Sequence, residues 1–284
     1  MATTREIRRR MRSIGNITQI TRAMEMVSAA KMRRATERAQ ASRPYADRIR
    51  TLIAALSGLT DIESGQFPLL ERRPVERMTV VLMTSDKGLA GALNSNVIRS
   101  SVELIRAESG RRAEVIAVGR KGRDFYRKRK AKISGEHVGL FNKALHEESA
   151  PIARRVIERY RNREVDAVYL LYNEFKSVMA QRVVVHRVVP VELPEETKRI
   201  DYIYEQPPLE LLETLLPRYV EVSLHHAVLE SAAAEHGARM TAMDAATSNA
   251  SEMIDKLTLY MNRVRQASIT REIIEVVSGA SALA

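Results

Sequence analysis

The sequence predicts an α/β protein with long helical extensions: a central Rossmann-like α/β domain and two terminal helices that pair as an antiparallel coiled coil. Three observations predict it. Helical periodicity runs almost unbroken at both ends, short β-rich runs alternate with helical stretches in the middle, and the composition favours helix. Aromatic residues make up only 5% of the 284 residues, with no Trp, whereas Ala, Met, Arg, Glu and Leu are abundant. A hydrophobic share of 45% is enough to bury a core. On this reading residues 1–60 are the N-terminal coiled-coil helix, 75–195 the central α/β domain and 209–284 the C-terminal coiled-coil helix.

From Thr4 to about Ser57 the chain carries few helix breakers: Gly15 is isolated, and Pro44 is expected to bend the helix rather than end it. Ile7, Met11 and Ile14 are spaced four and three apart, and Ile17, Ile20, Met24 and Val27 continue at three, four and three. The pattern reads as a coiled-coil seam with a slip between the groups.

The C-terminal segment keeps strict three-four spacing through Met240, Met243, Thr247, Ala250, Ile254, Leu257, Met261, Val264 and Ser268. No Pro follows Pro217 and no Gly lies between Gly237 and Gly279, so a helix is expected from about Arg218 to Ser278. At about 1.5 Å per residue it reaches on the order of 90 Å, too long for the interior of a compact domain. Many seam residues are Ala, Thr, Ser or Met, which allow close approach but bury less apolar area per layer than Leu. The methionines of the two helices read as flexible core packing.

Residues 78–83, 113–118, 165–172 and 182–189 are short runs rich in β-branched and aromatic residues. Between them Asn94–Glu108 and Pro151–Asn162 have helical spacing, and Arg120–Lys132 is helical but strongly basic. This alternation predicts a largely parallel sheet. Linkers rich in Pro, Gly and acids bracket it at Asp61–Pro74 and Pro190–Pro208.

The loop from Ser85 to Asn94 follows a strand and precedes a helix, where α/β proteins often bind phosphate. It has neither GxxxxGK[ST] nor GxGxxG, so a tight strand-to-helix turn is the expected role. His225 and His226 are helix neighbours that face different ways, and His236 stands without an HExxH. The acid pairs Glu147-Glu148 and Glu195-Glu196 read as solvated surface, and no GxSxG elbow occurs. No catalytic, cofactor-binding or metal-binding constellation is expected.

No Cys is present, which excludes disulfides, thiol nucleophiles and thiolate metal sites and fits a cytosolic setting. Neither a secretory signal nor a membrane span is expected, so any membrane contact runs through partners. Of the formal charge of +11, much sits in residues 1–50, which hold 13 Arg and Lys against 4 acids. Such an excess suits nucleic acid or acidic lipid, and equally a solvated face or an acidic protein partner.

Three segments together carry a family resemblance. They are Ile7-Arg8-Arg9-Arg10-Met11-Arg12-Ser13-Ile14 with Ile20-Thr21-Arg22-Ala23-Met24-Glu25-Met26-Val27; the Ser85–Asn94 loop, with Ala90 where the family usually has Cys and Ala92 where it has Gly; and Arg265-Gln266-Ala267-Ser268-Ile269-Thr270-Arg271-Glu272 running on to Gly279-Ala280. The chain resembles, over essentially its full length, the gamma-subunit family of F-type ATP synthases. The cysteine-bearing insertion of the chloroplast type is missing.

The resemblance implies a non-catalytic subunit, the central rotor shaft that couples ion flow through a membrane ring to ATP synthesis or hydrolysis. Its implied partners are a hexameric ring of alpha and beta subunits, the epsilon subunit and the membrane ring of c subunits. No nucleic acid and no cofactor are implied. By position, Arg265 and Gln266 are expected to meet a beta subunit, with Met24 nearby on the opposing helix and Thr270 and Glu272 one turn further on. Tyr204 and Glu205, in the Tyr202–Pro208 region, are expected to face the epsilon subunit or c ring. The implied location is peripheral, on the cytoplasmic side of a bacterial inner membrane. The reading left beside this one is a basic coiled-coil scaffold or nucleic-acid-binding protein, and a third is an enzyme built on the central domain.

Overall fold

The computed structural model describes residues 4–58, 66–108, 111–144, 146–192 and 204–283. The pair Glu195-Glu196, Tyr202, the first five residues of the first expected linker (61–65) and the middle of the second (193–203) lie outside the described residues. The elements in chain order are α1 (Thr4–Ser57), β1 (Arg77–Met83), α2 (Leu93–Ala107), β2 (Arg112–Val118), α3 (Arg120–Lys128), β3 (Ile133–His137), α4 (Leu140–Lys143), α5 (His146–Arg161), β4 (Ala167–Phe175), β5 (Gln181–Val189) and α6 (Pro208–Leu283). By compactness the chain forms two units, Met1–Val27 with Met240–Ala284, and Ser28–Arg239. The boundaries read from composition fall elsewhere, because the 28–57 and 208–239 parts of the long helices pack into the body of the second unit.

In that second unit the sheet has the order β3-β2-β1-β4-β5. Pairings β3-β2, β2-β1 and β1-β4 are parallel, and β4-β5 is antiparallel. Strand β1 is buried along almost its whole length, as a central parallel strand covered on both faces must be. Its side chains alternate accordingly. Met78, Val80 and Leu82 join Val97 of α2 and Tyr126 of α3, while Val81 and Met83 face Ile152, Val156 and Tyr160 of α5, Ile53 of α1 and Leu224 and Val228 of α6.

Two expectations are corrected here. The basic tract stops being helical at Lys128, and Ile133–His137 forms an edge strand against β2. Its sequence, Ile-Ser-Gly-Glu-His, has one large apolar residue, so the period-two signal is nearly silent. Helix α6 begins at Pro208, ten residues before Arg218, and runs through Pro217. Pro208 suits a first helical turn, where no N–H is needed. Leu212, Leu216, Tyr219 and Val220 are buried on both sides of Pro217, and that anchoring outweighs a penalty of about 3 kcal/mol for an interior proline.

The first unit holds the ends of α1 and α6. The expected slip in the α1 seam is absent. The inward residues are Ile7, Met11, Ile14, Thr18 and Thr21, at steps of four, three, four and three, whereas Ile17, Ile20 and Val27 are 50%, 59% and 56% exposed. Size misled the sequence reading, because two small hydroxyl residues take the seam and larger apolar neighbours face outward. Thr18 donates to the Ile14 carbonyl at 3.0 Å, and the Thr21 and Thr247 hydroxyls meet at 2.7 Å. Counting antiparallel from that contact puts Thr18 level with Ala250, Ile14 with Ile254, Met11 with Leu257 and Ile7 with Met261, each a partly or fully buried position. Met26 and Met253 are exposed, so core packing does not account for them.

Candidate partner-binding surfaces

An α/β sheet offers a ligand crevice beyond the carboxyl ends of its strands, at the point where the strand order reverses. Here that point lies between β1 and β4. It is filled by the chain's own helix α6. Glu230 accepts the Phe175 N–H at the end of β4 at 2.9 Å, and Ser231 donates to Met83 Sδ at the end of β1 at 3.7 Å. Ala90 and Leu93 pack with Ala234, Phe175 and Ala238, a fit that needs the small side chain at position 90. Arg239, paired with Glu235 at 2.7 Å, donates to the carbonyls of Lys87 and Gly88.

The Ser85–Asn94 loop spends its polar groups on itself and its neighbours. Asn94 accepts the Ser85 N–H at 2.9 Å and donates to the Ser85 hydroxyl at 2.7 Å. Asp86 accepts the backbone N–H groups of Arg120 and Gly139 at 3.0 and 2.8 Å, tying the ends of β2 and β3 to that of β1. This is the turn the sequence suggested, with its carboxylate consumed by structure.

The histidines are structural in the same way. His225 faces α5, where its Nδ1 lies 3.1 Å from the Ser149 hydroxyl and its ring meets His146 edge-on. His226 faces α1, with Nδ1 3.1 Å from the Ser42 hydroxyl. Each serine already donates to a backbone carbonyl, so each histidine donates from Nδ1. Burial, aided by His146 and His226, lowers the His225 pKa to about 4. Burial followed by Arg239 and Lys31 does the same for His236, also to about 4. Among the described residues no cluster of His, Cys, Asp and Glu could hold a metal ion. Glu147 is exposed and Glu148 half-buried, and they form no shaped site.

The surfaces left for function are on the helix ends. Burial of α6 stops after Val264, and every residue from 265 to 278 is exposed. The antiparallel register explains this: Thr4, the first described residue of α1, falls level with Val264, and among the described residues no part of α1 stands opposite the rest of α6. Arg265, Gln266, Thr270 and Glu272 all lie on this open end. Thr270 donates to the Gln266 carbonyl at 3.0 Å, and Glu272 accepts from Ser268 at 3.3 Å. The sequence reading passed over their apolar neighbours Ile269, Ile273, Ile274, Val276 and Val277, all exposed and Val276 by 71%. An exposed apolar run of this kind is a candidate partner surface. It was legible as apolar residues persisting after the seam had ended.

Met24 does not stand where the reading put it. The Thr21–Thr247 contact sets it level with Asp244, and Arg265 lies about 30 Å further along α6 at about 1.5 Å per residue. Half-buried Met24 adjoins the seam, with exposed Ile17, Ile20 and Val27 on the outer face of the same helix. Arg8, Arg9, Arg10 and Arg12 are exposed too. Tyr204 turns inward and packs against the core of the central body, while Glu205 is exposed. No helix among the described residues is long and apolar enough to cross a membrane.

Comparison with known proteins bears on the family and the fold. The profile of the ATP synthase family matches residues 3–283. The ATP synthase gamma chain of Solibacter usitatus is 55% identical over 98% of both chains, and that of Desulfitobacterium hafniense 47% identical over the whole of both. Among solved structures, a chain of the Euglena gracilis mitochondrial ATP synthase (OSCP/F1/c-ring, rotational state 3) has a TM-score of 0.68 at 19% identity. It covers 99% of this chain and 94% of its own. A chain of the Tetrahymena thermophila mitochondrial ATP synthase central stalk and c-ring gives 0.58 at 24% identity, over 80% of this chain and 99% of that one. At these identities the structures speak for the fold.

Proposed function

We propose, for a chain that belongs to the ATP synthase gamma-chain family, that the open end of α6 is the contact through which it acts on its neighbours. The chain is the gamma subunit and central rotor shaft of ATP synthase, coupling ion flow to ATP synthesis or hydrolysis. The observation that carries the contact is the exposure of every residue from 265 to 278, which places charged and apolar side chains together on the open end of α6.

On this reading the subunit holds no catalytic group, and ATP chemistry resides in the beta subunits. Supporting it, the crevice where a Rossmann-like sheet would take a nucleotide is filled by Glu230, Ser231 and Ala234. Arg265 and Gln266 meet a beta subunit, Thr270 and Glu272 continue that contact, and Met24 contributes at a separate level with Ile17, Ile20 and Val27. The alpha and beta subunits form the surrounding hexameric ring. The central body meets the epsilon subunit and c ring, with Glu205 the outward group and Tyr204 its internal support. Segments 1–60 and 209–284 supply the shaft, and their 28–57 and 208–239 parts anchor it in the body formed with 75–195. The protein is peripheral, on the cytoplasmic side of the bacterial inner membrane, and reaches the membrane through its partners alone.

Torque suits this construction. Paired helices whose seam narrows at Thr18, Thr21, Thr247 and Ala250 make a slim shaft, and an outer surface of scattered apolar and charged groups turns within a bearing without one dominant attachment. The double variant Arg265→Ala/Gln266→Ala tests the contact. Coupled ATP synthesis or assembly of the complex falls while far-UV circular dichroism of the subunit is unchanged; wild-type synthesis and assembly would remove these residues from the interface.

A further inference from the structure

A cavity of about 680 Å³ lies apart from the contacts proposed so far. It is a trough between α2 and α3, on the sheet face opposite to that covered by α1, α5 and α6. A volume of this order suits a specific occupant. The floor is apolar: Ile98 and Val102, one turn apart on α2, and Phe125 of α3, all partly buried against the cluster beneath. The lining cations are Arg99, Lys121, Lys128 and Arg129, against one lining carboxylate, Asp124. Arg123 neutralises that carboxylate at 2.8 Å. Among the described residues Lys121 and Lys128 make no ion pair.

These features select the occupant. Asn94 to Val102 on one wall and Lys121 to Arg129 on the other each span about 12 Å at 1.5 Å per residue, the length of two helical turns. The guanidinium of Arg129 lies over the Phe125 ring, 3.7 Å from its centroid, so the aromatic face is already taken and offers no base-stacking platform. What remains open is an aliphatic floor between positive rims. We propose that this trough is a docking site for an acidic amphipathic helix of a partner protein, which lays aliphatic side chains at i and i+4 on Ile98 and Val102 and sets Glu or Asp against the rim. Because the trough lies on the sheet face opposite the one packed against α1, α5 and α6, such a partner binds without displacing that packing.

The test titrates the full chain into a labelled synthetic helical peptide of about 18 residues, long enough to hold helix with Ala between its functional positions. It carries Leu at i, i+4 and i+7 and Glu on the flanks. An isomer of identical composition scatters the leucines around the helix. The patterned peptide binds at least tenfold more tightly than the isomer, and Lys121→Glu/Lys128→Glu weakens it at least tenfold with the circular dichroism of the chain unchanged. Equal affinity for both peptides reduces the trough to a charge effect and overturns the proposal, as does indifference to the double variant or absence of binding. Tighter, equally variant-sensitive binding of phosphatidylglycerol vesicles or duplex DNA also overturns it.

Discussion

Arg43 and Glu230 form an ion pair at 2.8 Å in which the arginine is half-exposed and the glutamate only 1% exposed. The other carboxylate oxygen of Glu230 accepts the Phe175 N–H at 2.9 Å, so one side chain of α6 binds both α1 and the end of β4. The two ends of this pair are not equivalent. Arg43→Met strands a buried carboxylate and costs roughly 3 kcal/mol. Glu230→Gln keeps an oxygen for the Phe175 N–H and leaves Arg43 free to hydrate, at about 1 kcal/mol. Urea unfolding of both variants checks the order, and a larger loss for Glu230→Gln contradicts it.

Thr21 and Thr247 give the seam of the first unit a polar layer. Thr21 has a hydroxyl hydrogen to donate to the Thr18 carbonyl at 3.1 Å, which makes Thr247 the donor in their 2.7 Å contact. Replacing either one by Val leaves the other with an unmet bond and costs about 1 kcal/mol, whereas the double Val variant is near neutral because both groups become apolar together. A double-mutant cycle therefore returns a coupling of about 2 kcal/mol. Additive losses would mean that the contact contributes nothing.

How far the sequence reveals this molecule depends on whether a position is chosen for size or for fit. The α6 seam is legible because Met243, Ile254, Leu257, Met261 and Val264 are large apolar residues at helical spacing, and the structure keeps them inward. The α1 seam is not, since Thr18 and Thr21 hold inward places while Ile17 and Ile20 face out. Partner surfaces invert the usual apolar-inside logic, so a residue reserved for a neighbouring subunit looks like core. Strand β3 escaped notice because edge position against β2, not its own residues, makes Ile133–His137 extended. The position of Met24 relative to Arg265 was out of reach for another reason: it depends on register between helices distant in sequence, fixed here at Thr21 and Thr247.

Two glycines separate space from backbone conformation. Gly119 has φ +91°, and a Cβ there would lie 1.8 Å from the Thr84 carbonyl oxygen. Its N–H donates to the His137 carbonyl at 2.7 Å, so it cannot shift without loosening the ends of β2 and β3. Gly119→Ala costs more than about 3 kcal/mol, from the disfavoured backbone and the clash together. Gly15 lies inside α1 with nothing within 4 Å of a Cβ, and Gly15→Ala gains about 0.5 to 1 kcal/mol. Thermal melts of the two variants move in opposite directions; a shift of the same sign for both is incompatible with the geometry.

Histidine burial sets an acid limit on stability. Burial, its largest cause, together with His146 and His226, holds His225 at about 4 in the folded chain, against about 6.5 unfolded. Between those values the unfolded state binds the extra proton. The contribution is therefore complete above about pH 6.5 and is lost as pH falls towards 4. His236, also at about 4, acts in the same direction, as does His226, lowered by burial despite Glu230 beside it. Glu235, raised by burial beside Arg239, works the opposite way. Comparing one variant with wild type isolates a single site. His225→Gln retains a side-chain donor for Ser149 without a titrating ring. From pH 7.5 to 5 the wild type loses about 2 kcal/mol more than the variant. Urea titrations at the two pH values measure that difference, and parallel losses would show that His225 is free to protonate in the folded chain.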